Sequence, residues 1–201
     1  MLLALALLAA GPAAAQSLTI LALGDSLTAG FGLGPGQGFA PQLERALKEN
    51  GVDARVIDAG VSGDTTAGGL ARLDWALAER PDLVILELGA NDMLRGVDPA
   101  ETRANLDAML AKLRAAGPKV LLAGMRAAPN LGPDYAGAFE KAYADLAAKY
   151  AVPLYPFFLE GVATDPKLNL PDGLHPNEAG VREIVRRILP HVLAAAGVRP
   201  S

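Results

Sequence analysis

The sequence of 201 residues contains no cysteine and only two histidines, His175 and His191. The absence of cysteine excludes disulfides and thiolate metal sites, and two histidines are too few for a multi-histidine metal centre. Basic residues are also few, since 18 Lys and Arg stand against 22 Asp and Glu. Binding to nucleic acid needs a basic face, so the charge argues against nucleic acid as a partner. We predict neither a metal nor a cofactor.

The first residues form a segment of their own. Residues 1–10 are almost entirely Leu and Ala, and Ala13-Ala14-Ala15 fits a small-x-small cleavage site. This pattern predicts a secretory signal peptide over residues 1–16, although no Lys or Arg precedes the apolar run. An N-terminal membrane anchor is the alternative, but the run is shorter than the roughly 20 residues that span a bilayer. We therefore expect a periplasmic or secreted protein without stable membrane insertion.

The remaining chain, residues 17–201, has the length of one domain with a sizeable core, and we expect it to be a monomer. Apolar runs of strand length alternate five times with segments of helical periodicity. This alternation predicts an α/β protein, a three-layer α/β/α sandwich of flavodoxin-like type with a five-stranded parallel sheet in the order 2-1-3-4-5. The predicted strands are residues 18–23, 54–58, 83–88, 120–123 and 152–157.

Four polar clusters follow predicted strands or precede the last predicted helix. They are Gly24-Asp25-Ser26, Ser62-Gly63-Asp64, Gly89-Ala90-Asn91-Asp92 and Asp172-Gly173-Leu174-His175-Pro176. Ligands of open α/β sheets bind outside the carboxyl ends of the strands. We therefore expect the four clusters to converge at one edge of the sheet.

These clusters supply the groups that acyl transfer requires, namely a hydroxyl nucleophile, a base and a group that orients the base. Ser26 is the candidate nucleophile. His175 is the candidate base, because His191 lies inside the last predicted helix. Asp172 lies three residues before His175, close enough to orient its ring.

An oxyanion formed in acyl transfer also needs N–H donors. The candidates are the backbone N–H groups of Ser26 and Gly63 and the side-chain amide of Asn91. Each residue has an ordinary alternative role when taken alone: Ser26 and Asn91 as helix caps and Gly63 as a turn residue. Their joint occurrence with Asp172 and His175 favours catalysis.

The four clusters, in this order and spacing, resemble the blocks of the SGNH (GDSL) hydrolase family over nearly the whole mature chain. The resemblance implies a serine esterase and thioesterase that acts on acyl-CoA, lysophospholipids and aryl esters. It also implies Ser26, Asp172 and His175 as the triad, and Ser26, Gly63 and Asn91 as oxyanion donors. The sequence departs from the family pattern at Ala90, where a second glycine is common, and in the signal peptide without its basic start.

Apolar residues in loops at the same sheet edge are candidates for contact with an acyl chain, since ligand pockets are mostly apolar. Their alternative role is packing against the core. The candidates for substrate binding are Met93, Leu94, Met125 and Pro129, with Phe31 and Leu131 beside them.

Two other functions use some of the same residues. A flavin- or phosphate-binding module would hold a phosphate near Ser26, Thr28 and Gly30 at a helix N-terminus, but it gives no reason for Asp172 and His175 to lie together. A polysaccharide O-deacetylase would use the same catalytic groups, and its loops would distinguish it.

One acid lies within an apolar strand. Glu87 follows Val84-Ile85-Leu86 and precedes Leu88. Because a buried carboxyl group needs a partner, we interpret Glu87 as a structural hydrogen-bond acceptor rather than as a second catalytic acid.

Overall fold

The computed structural model describes residues 17–198. The signal peptide predicted for residues 1–16 lies outside the described residues. Within residues 17–198, none of the helices combines the length and the apolarity needed to cross a membrane.

A five-stranded parallel sheet forms the centre of the protein, in the order β2-β1-β3-β4-β5. This confirms the predicted α/β class and strand order. Strands β1 and β3 are adjacent, and their central residues are fully buried because helices cover both faces of the sheet. The strands are β1 Leu18–Gly24, β2 Ala54–Gly60, β3 Leu83–Glu87, β4 Lys119–Ala123 and β5 Leu154–Tyr155.

The edge strand β5 is shorter than the predicted 152–157. Only Leu154–Tyr155 pairs with β4. Pro153 and Pro156 flank this pair, and proline has no backbone N–H to donate to a ladder. The prolines therefore limit the strand to two residues, which the apolar pattern alone does not indicate.

Seven α-helices complete the fold within residues 17–198, with short 3₁₀ turns at Leu77–Glu79 and Pro129–Leu131. Side-chain caps start several helices, as when Thr65 accepts from the Gly68 N–H and Asn177 accepts from the Gly180 N–H. The helices are α1 Ser26–Ala29, α2 Phe39–Glu49, α3 Thr66–Ala76, α4 Ala90–Leu94, α5 Pro99–Ala116, α6 Pro133–Tyr150 and α7 Glu178–Ala196.

The longer helices pack in two groups against the sheet. Helix α2 packs on α7, and α5 packs on both α3 and α6. Crossovers between parallel strands are right-handed, so the helix that leads from β1 outward to β2 and the helices that lead toward β5 lie on opposite faces. This gives the predicted three layers.

Two short helices follow directly from the carboxyl ends of adjacent strands. Helix α1 starts two residues after β1, and α4 starts three residues after β3. They bring the Gly24-Asp25-Ser26 and Gly89-Ala90-Asn91-Asp92 clusters side by side at one edge of the sheet.

Candidate active site

Ser26 is the first residue of α1, and the end of β1 sets its position. Asp25 caps the helix, with its Oδ1 accepting the Leu27 N–H at 2.9 Å. The turn is almost buried, since Ser26 is 9% exposed and Asp25 is not exposed at all. The Ser26 hydroxyl is thus held on a rigid element rather than on a mobile loop.

The side chains of Ser26, His175 and Asp172 form one chain of hydrogen bonds. Ser26 Oγ lies 2.9 Å from His175 Nε2, although the two residues are 149 positions apart in the sequence. His175 Nδ1 lies 2.7 Å from Asp172 Oδ2. Because a carboxylate accepts the Nδ1 proton, Nε2 is left to accept the Ser26 hydroxyl proton. The structure thus brings these three side chains together, as the sequence predicts.

The Asp172 carboxylate is held in its charged form. Its Oδ1 accepts the backbone N–H groups of His175 and Leu174, at 3.0 Å and 2.9 Å. Hydrogen bonds from the His175 N–H, the Leu174 N–H and the imidazole lower the pKa of Asp172 to about 2. Asp172 therefore stays ionised across the pH range in which an imidazole changes its charge.

The turn before α3 presents a backbone N–H at the same edge. Gly63 has a φ of +83°, a conformation that favours glycine because it has no Cβ. Within residues 17–198, the backbone N–H groups of Gly63 and Ser26 have no protein acceptor. Both donors are free to bind a ligand atom.

The Asn91 side-chain amide links its own cluster to the Gly24-Asp25-Ser26 and Ser62-Gly63-Asp64 clusters. Its Nδ2 donates to Asp25 Oδ2 at 3.0 Å and to the Asp64 backbone oxygen at 2.9 Å. These two acceptors fix which end of the amide faces them, since the amide oxygen would be repelled by both. Each of the two amide protons therefore already has an acceptor within the protein.

Arg72, on α3, is a supporting residue that the sequence reasoning missed. Its guanidinium donates to Asp64 Oδ2 at 2.7 Å and to the backbone oxygens of Ala59 and Gly24, each at 2.8 Å. One side chain therefore ties together the ends of β1 and β2 and the turn that contains Gly63. A single arginine on a helix gave no local signal for these distant acceptors.

A second buried network holds α4 against α3 and α5. Asp92 accepts the Thr66 N–H at 2.8 Å and the hydroxyls of Thr66 and Thr102, at 2.5 Å and 3.2 Å. Asp92 is 1% exposed, so its carboxyl oxygens accept hydrogen bonds from protein donors rather than from bulk water. This network fixes the helix that carries Asn91.

The predicted substrate-binding residues lie in different environments. Leu94 is 55% exposed, and Pro129 is exposed at the start of a 3₁₀ turn. Met93 is partly buried against the core, whereas Met125 is 3% exposed and belongs to the core. Their contact with a substrate stays a prediction.

Other apolar side chains are exposed in the loops that carry His175 and Gly63 or follow Ser26. The Phe31 ring, half exposed, lies 4.5 Å from the His175 ring between centroids. Val61 and Leu174 are also exposed, in the loops next to Gly63 and His175. The loops around the hydroxyl thus present an apolar surface.

Over residues 17–198, no three His, Cys, Asp or Glu side chains are grouped so as to hold a metal ion.

In the arrangement of Ser26, His175 and Asp172 a serine hydroxyl is hydrogen-bonded to an imidazole, and a carboxylate orients the imidazole. Serine hydrolases use the same arrangement for acyl transfer. The fold and the arrangement of these side chains indicate that the protein is a hydrolase. The chain belongs to the GDSL-like Lipase/Acylhydrolase family, whose sequence model matches residues 22–183. The resemblance to the SGNH (GDSL) hydrolases is therefore confirmed.

Named relatives support the same class. The chain is 47% identical over 179 residues to a protein named Esterase TesA from Pseudomonas aeruginosa, covering 89% of this chain and 88% of that protein. It is 40% identical over 165 residues to the Thioesterase 1/protease 1/lysophospholipase L1 of Escherichia coli strain K12, covering 82% and 78%. A crystal structure of TesA superposes with a TM-score of 0.84 at 45% identity, covering 88% of this chain and 99% of that one.

The role of Arg72 can be tested through stability. Arg72→Met removes the hydrogen bonds that the guanidinium donates to the Asp64 carboxylate and to two carbonyl oxygens, and the side chains of the Arg72–Asp64 pair are only 19% and 13% exposed. Breaking such a pair costs about 3–5 kcal/mol of unfolding free energy, measured by urea denaturation.

Arg55→Met is the matched control, because its pair with Glu79 has side chains that are 61% and 50% exposed. That variant should lose about 1 kcal/mol or less. Equal losses in the two variants would contradict the role assigned to Arg72.

Proposed function

We propose that the protein hydrolyses acyl esters and thioesters through an acyl-enzyme formed on Ser26. His175 acts as the base, and Asp172 orients its imidazole. The observation that carries this proposal is the unbroken chain of hydrogen bonds from Ser26 Oγ through His175 to Asp172.

The reaction follows from the positions of these atoms. Ser26 Oγ attacks the acyl carbon while its proton passes to His175 Nε2, and the imidazolium is stabilised by the ionised Asp172. When the tetrahedral intermediate collapses, the bond to the leaving group breaks and Nε2 returns the proton to the departing alcohol or thiol. Water then attacks the acyl-enzyme and gives a proton to Nε2. When this second tetrahedral intermediate collapses, the bond to Ser26 Oγ breaks, Nε2 returns the proton to Oγ, and the carboxylic acid is released.

The negative oxygen of the tetrahedral intermediate needs donors at the same place. The N–H groups of Ser26 and Gly63 are free to donate. The Asn91 amide protons already have acceptors in Asp25 and Asp64. We infer that one amide proton of Asn91 forms a bifurcated hydrogen bond, to the oxyanion and to its present acceptor in the protein. Asp25 and Asp64 would then hold the Asn91 amide in position before the substrate binds.

The class of substrate rests on the relatives and on the surface around Ser26. The relatives carry the names esterase, thioesterase and lysophospholipase, and the exposed side chains of Phe31, Val61 and Leu174 suit an acyl chain. We keep the predicted substrate contacts of Met93, Leu94, Met125 and Pro129 as part of this proposal. Met125 would have to act from within the core.

Export and domain organisation belong to the same proposal. Residues 1–16 have the composition of a signal peptide, so the hydrolase domain of residues 17–201 would work in the periplasm or outside the cell. We keep the expectation that this domain is a monomer. Its substrate would be a small or lipid-derived acyl compound.

The phosphate-binding alternative has little support from the geometry. One of the three residues expected near the phosphate already has a partner, since Thr28 Oγ1 donates to Glu87 Oε2 at 2.7 Å. Deacetylation of polysaccharides would use the same triad, and comparing acetylated sugars with acyl-CoA, lysophospholipid and p-nitrophenyl esters of graded chain length would distinguish the substrates.

Replacing the nucleophile or the base should abolish turnover. Ser26→Ala and His175→Ala each remove a group that acts as part of one unit, so kcat for a p-nitrophenyl ester should fall by about a million-fold or to background. His191→Ala is the matched control, since His191 lies on α7 against Tyr155 and should keep normal activity. Near-normal hydrolysis by Ser26→Ala would reject the mechanism.

Removing the Asn91 amide should affect the chemical step more than binding. Asn91→Ala should lower kcat by about a hundred- to a thousand-fold, the usual effect of losing one oxyanion donor, with little change in KM. Asn105→Ala removes a nearby amide that donates to the Thr66 hydroxyl and should keep kcat within a few-fold. The assignment fails if Asn91→Ala retains its kcat or changes only KM.

A further inference from the structure

Glu87 is a buried acid that the proposed reaction does not use. It ends β3, next to the end of β1, and is 1% exposed. Its Oε2 accepts the Thr28 hydroxyl at 2.7 Å and the Asp25 N–H at 3.3 Å. Because Asp25 and Thr28 lie on either side of Ser26, the Glu87 carboxyl group lies beneath the turn that carries the nucleophile.

The close approach of this carboxyl group explains the glycine that precedes Asp25. A Cβ at Gly24 would lie 2.4 Å from Glu87 Oε2 and 2.0 Å from Thr28 Oγ1. Only glycine leaves room for both oxygens against the backbone. The Gly24-Asp25-Ser26 cluster is therefore built around Glu87 as well as around the nucleophile.

Glu87 lacks a positively charged partner within residues 17–198. It forms no ion pair there, and its Oε1 is buried without a hydrogen-bond partner. The titratable groups facing it are Asp25, on the turn after β1, and Tyr143, on α6, whose hydroxyl donates to the Leu88 oxygen. Ionisation of Glu87 would thus place a second negative charge next to Asp25.

Burial favours the protonated form of Glu87. Desolvation raises the pKa of Glu87 well above its ordinary value, and the Asp25 carboxylate raises it further, while the two hydrogen bonds only partly oppose this. Burial also raises the pKa of Asp25 to about 6. Of these two neighbouring carboxyl groups, Glu87 is therefore the one whose protonated form is favoured more strongly, and Asp25 is the one that accepts the Asn91 amide.

We propose that Glu87 is a positioning residue that works as a neutral, protonated acid and fastens the Ser26 turn to the end of β3. The inference rests on the proposed function of Ser26. Neutrality matters because an ionised Glu87 would place a second buried negative charge against the Asp25 carboxylate. A neutral carboxyl group holds Thr28 and the Asp25 N–H without that repulsion.

Glu87→Gln and Glu87→Leu should differ in their effect on kcat. Glutamine is neutral, has the same shape and keeps an oxygen for Thr28, so Glu87→Gln should retain kcat within about threefold. Glu87→Leu cannot hold the turn and should lower kcat by about ten- to a hundred-fold with KM little changed, because small displacements of a nucleophile have effects of this size.

Thr28→Val tests the same hydrogen bond in case the Glu87→Leu protein does not fold. Valine matches threonine in shape and removes the same hydrogen bond from the other side, so it should reproduce the loss of kcat. Wild-type kcat in a folded Thr28→Val protein would overturn the positioning role, as would a loss of more than tenfold in Glu87→Gln.

The protonation state has a readout that does not depend on activity. At pH 7 the infrared spectrum should contain the C=O band of a protonated carboxylic acid that is absent from Glu87→Gln.

The unfolding free energy gives a second readout. Because the pKa of Glu87 is raised in the folded state, the stabilisation from Glu87 is complete below its ordinary pKa of 4.5 and is lost as pH rises through the folded pKa. Glu87→Gln should therefore become more stable relative to wild type as pH rises.

Identical infrared spectra in the carboxylic acid region would overturn the neutral form. Both readouts can be repeated in Ser26→Ala, where they do not require turnover. An active Ser26→Ala protein would therefore refute the proposed function without changing what the spectra say about Glu87.

Discussion

The contact between Ser26 and His175 is the one on which the rest of the site depends, because it joins residues 149 positions apart. Its geometry is set by the parallel sheet. Strands β1 and β3 are neighbours, so the turns that follow them lie side by side, and α7 begins just after His175. A change that moved either β1 or the start of α7 by an ångström would separate the hydroxyl from the imidazole.

Polar networks beneath this contact keep the turns in place. Arg72 joins the ends of β1 and β2, Asn91 joins Asp25 to the Asp64 turn, and Glu87 joins β3 to the nucleophile turn. Such groups are costly to bury unless they are paired. Their pairing explains how a small helix of four residues, α1, can hold Ser26 rigidly.

The sequence was sufficient for the strand order and for the convergence of Ser26, Asp172 and His175, because the strand pattern and the four clusters are local features. It was insufficient for Arg72 and for the Thr66–Asp92–Thr102 network, since nothing local marks partners that lie far apart in the chain. The apolar periodicity also overestimated β5, where Pro156 ends the pairing. Glu87 was correctly predicted to be a hydrogen-bond acceptor, but its position beneath Ser26 required the pairing of β1 with β3.

The central claim is that Ser26 forms a covalent bond with the acyl group, and an alkyl fluorophosphonate tests it directly. The phosphonyl group replaces the acyl group, and water releases it too slowly to hide the adduct. Activity should fall in proportion to the fraction of protein that has gained one phosphonyl group, and peptide mass spectrometry should find that group on Ser26. Complete inactivation with the label on another residue would contradict it.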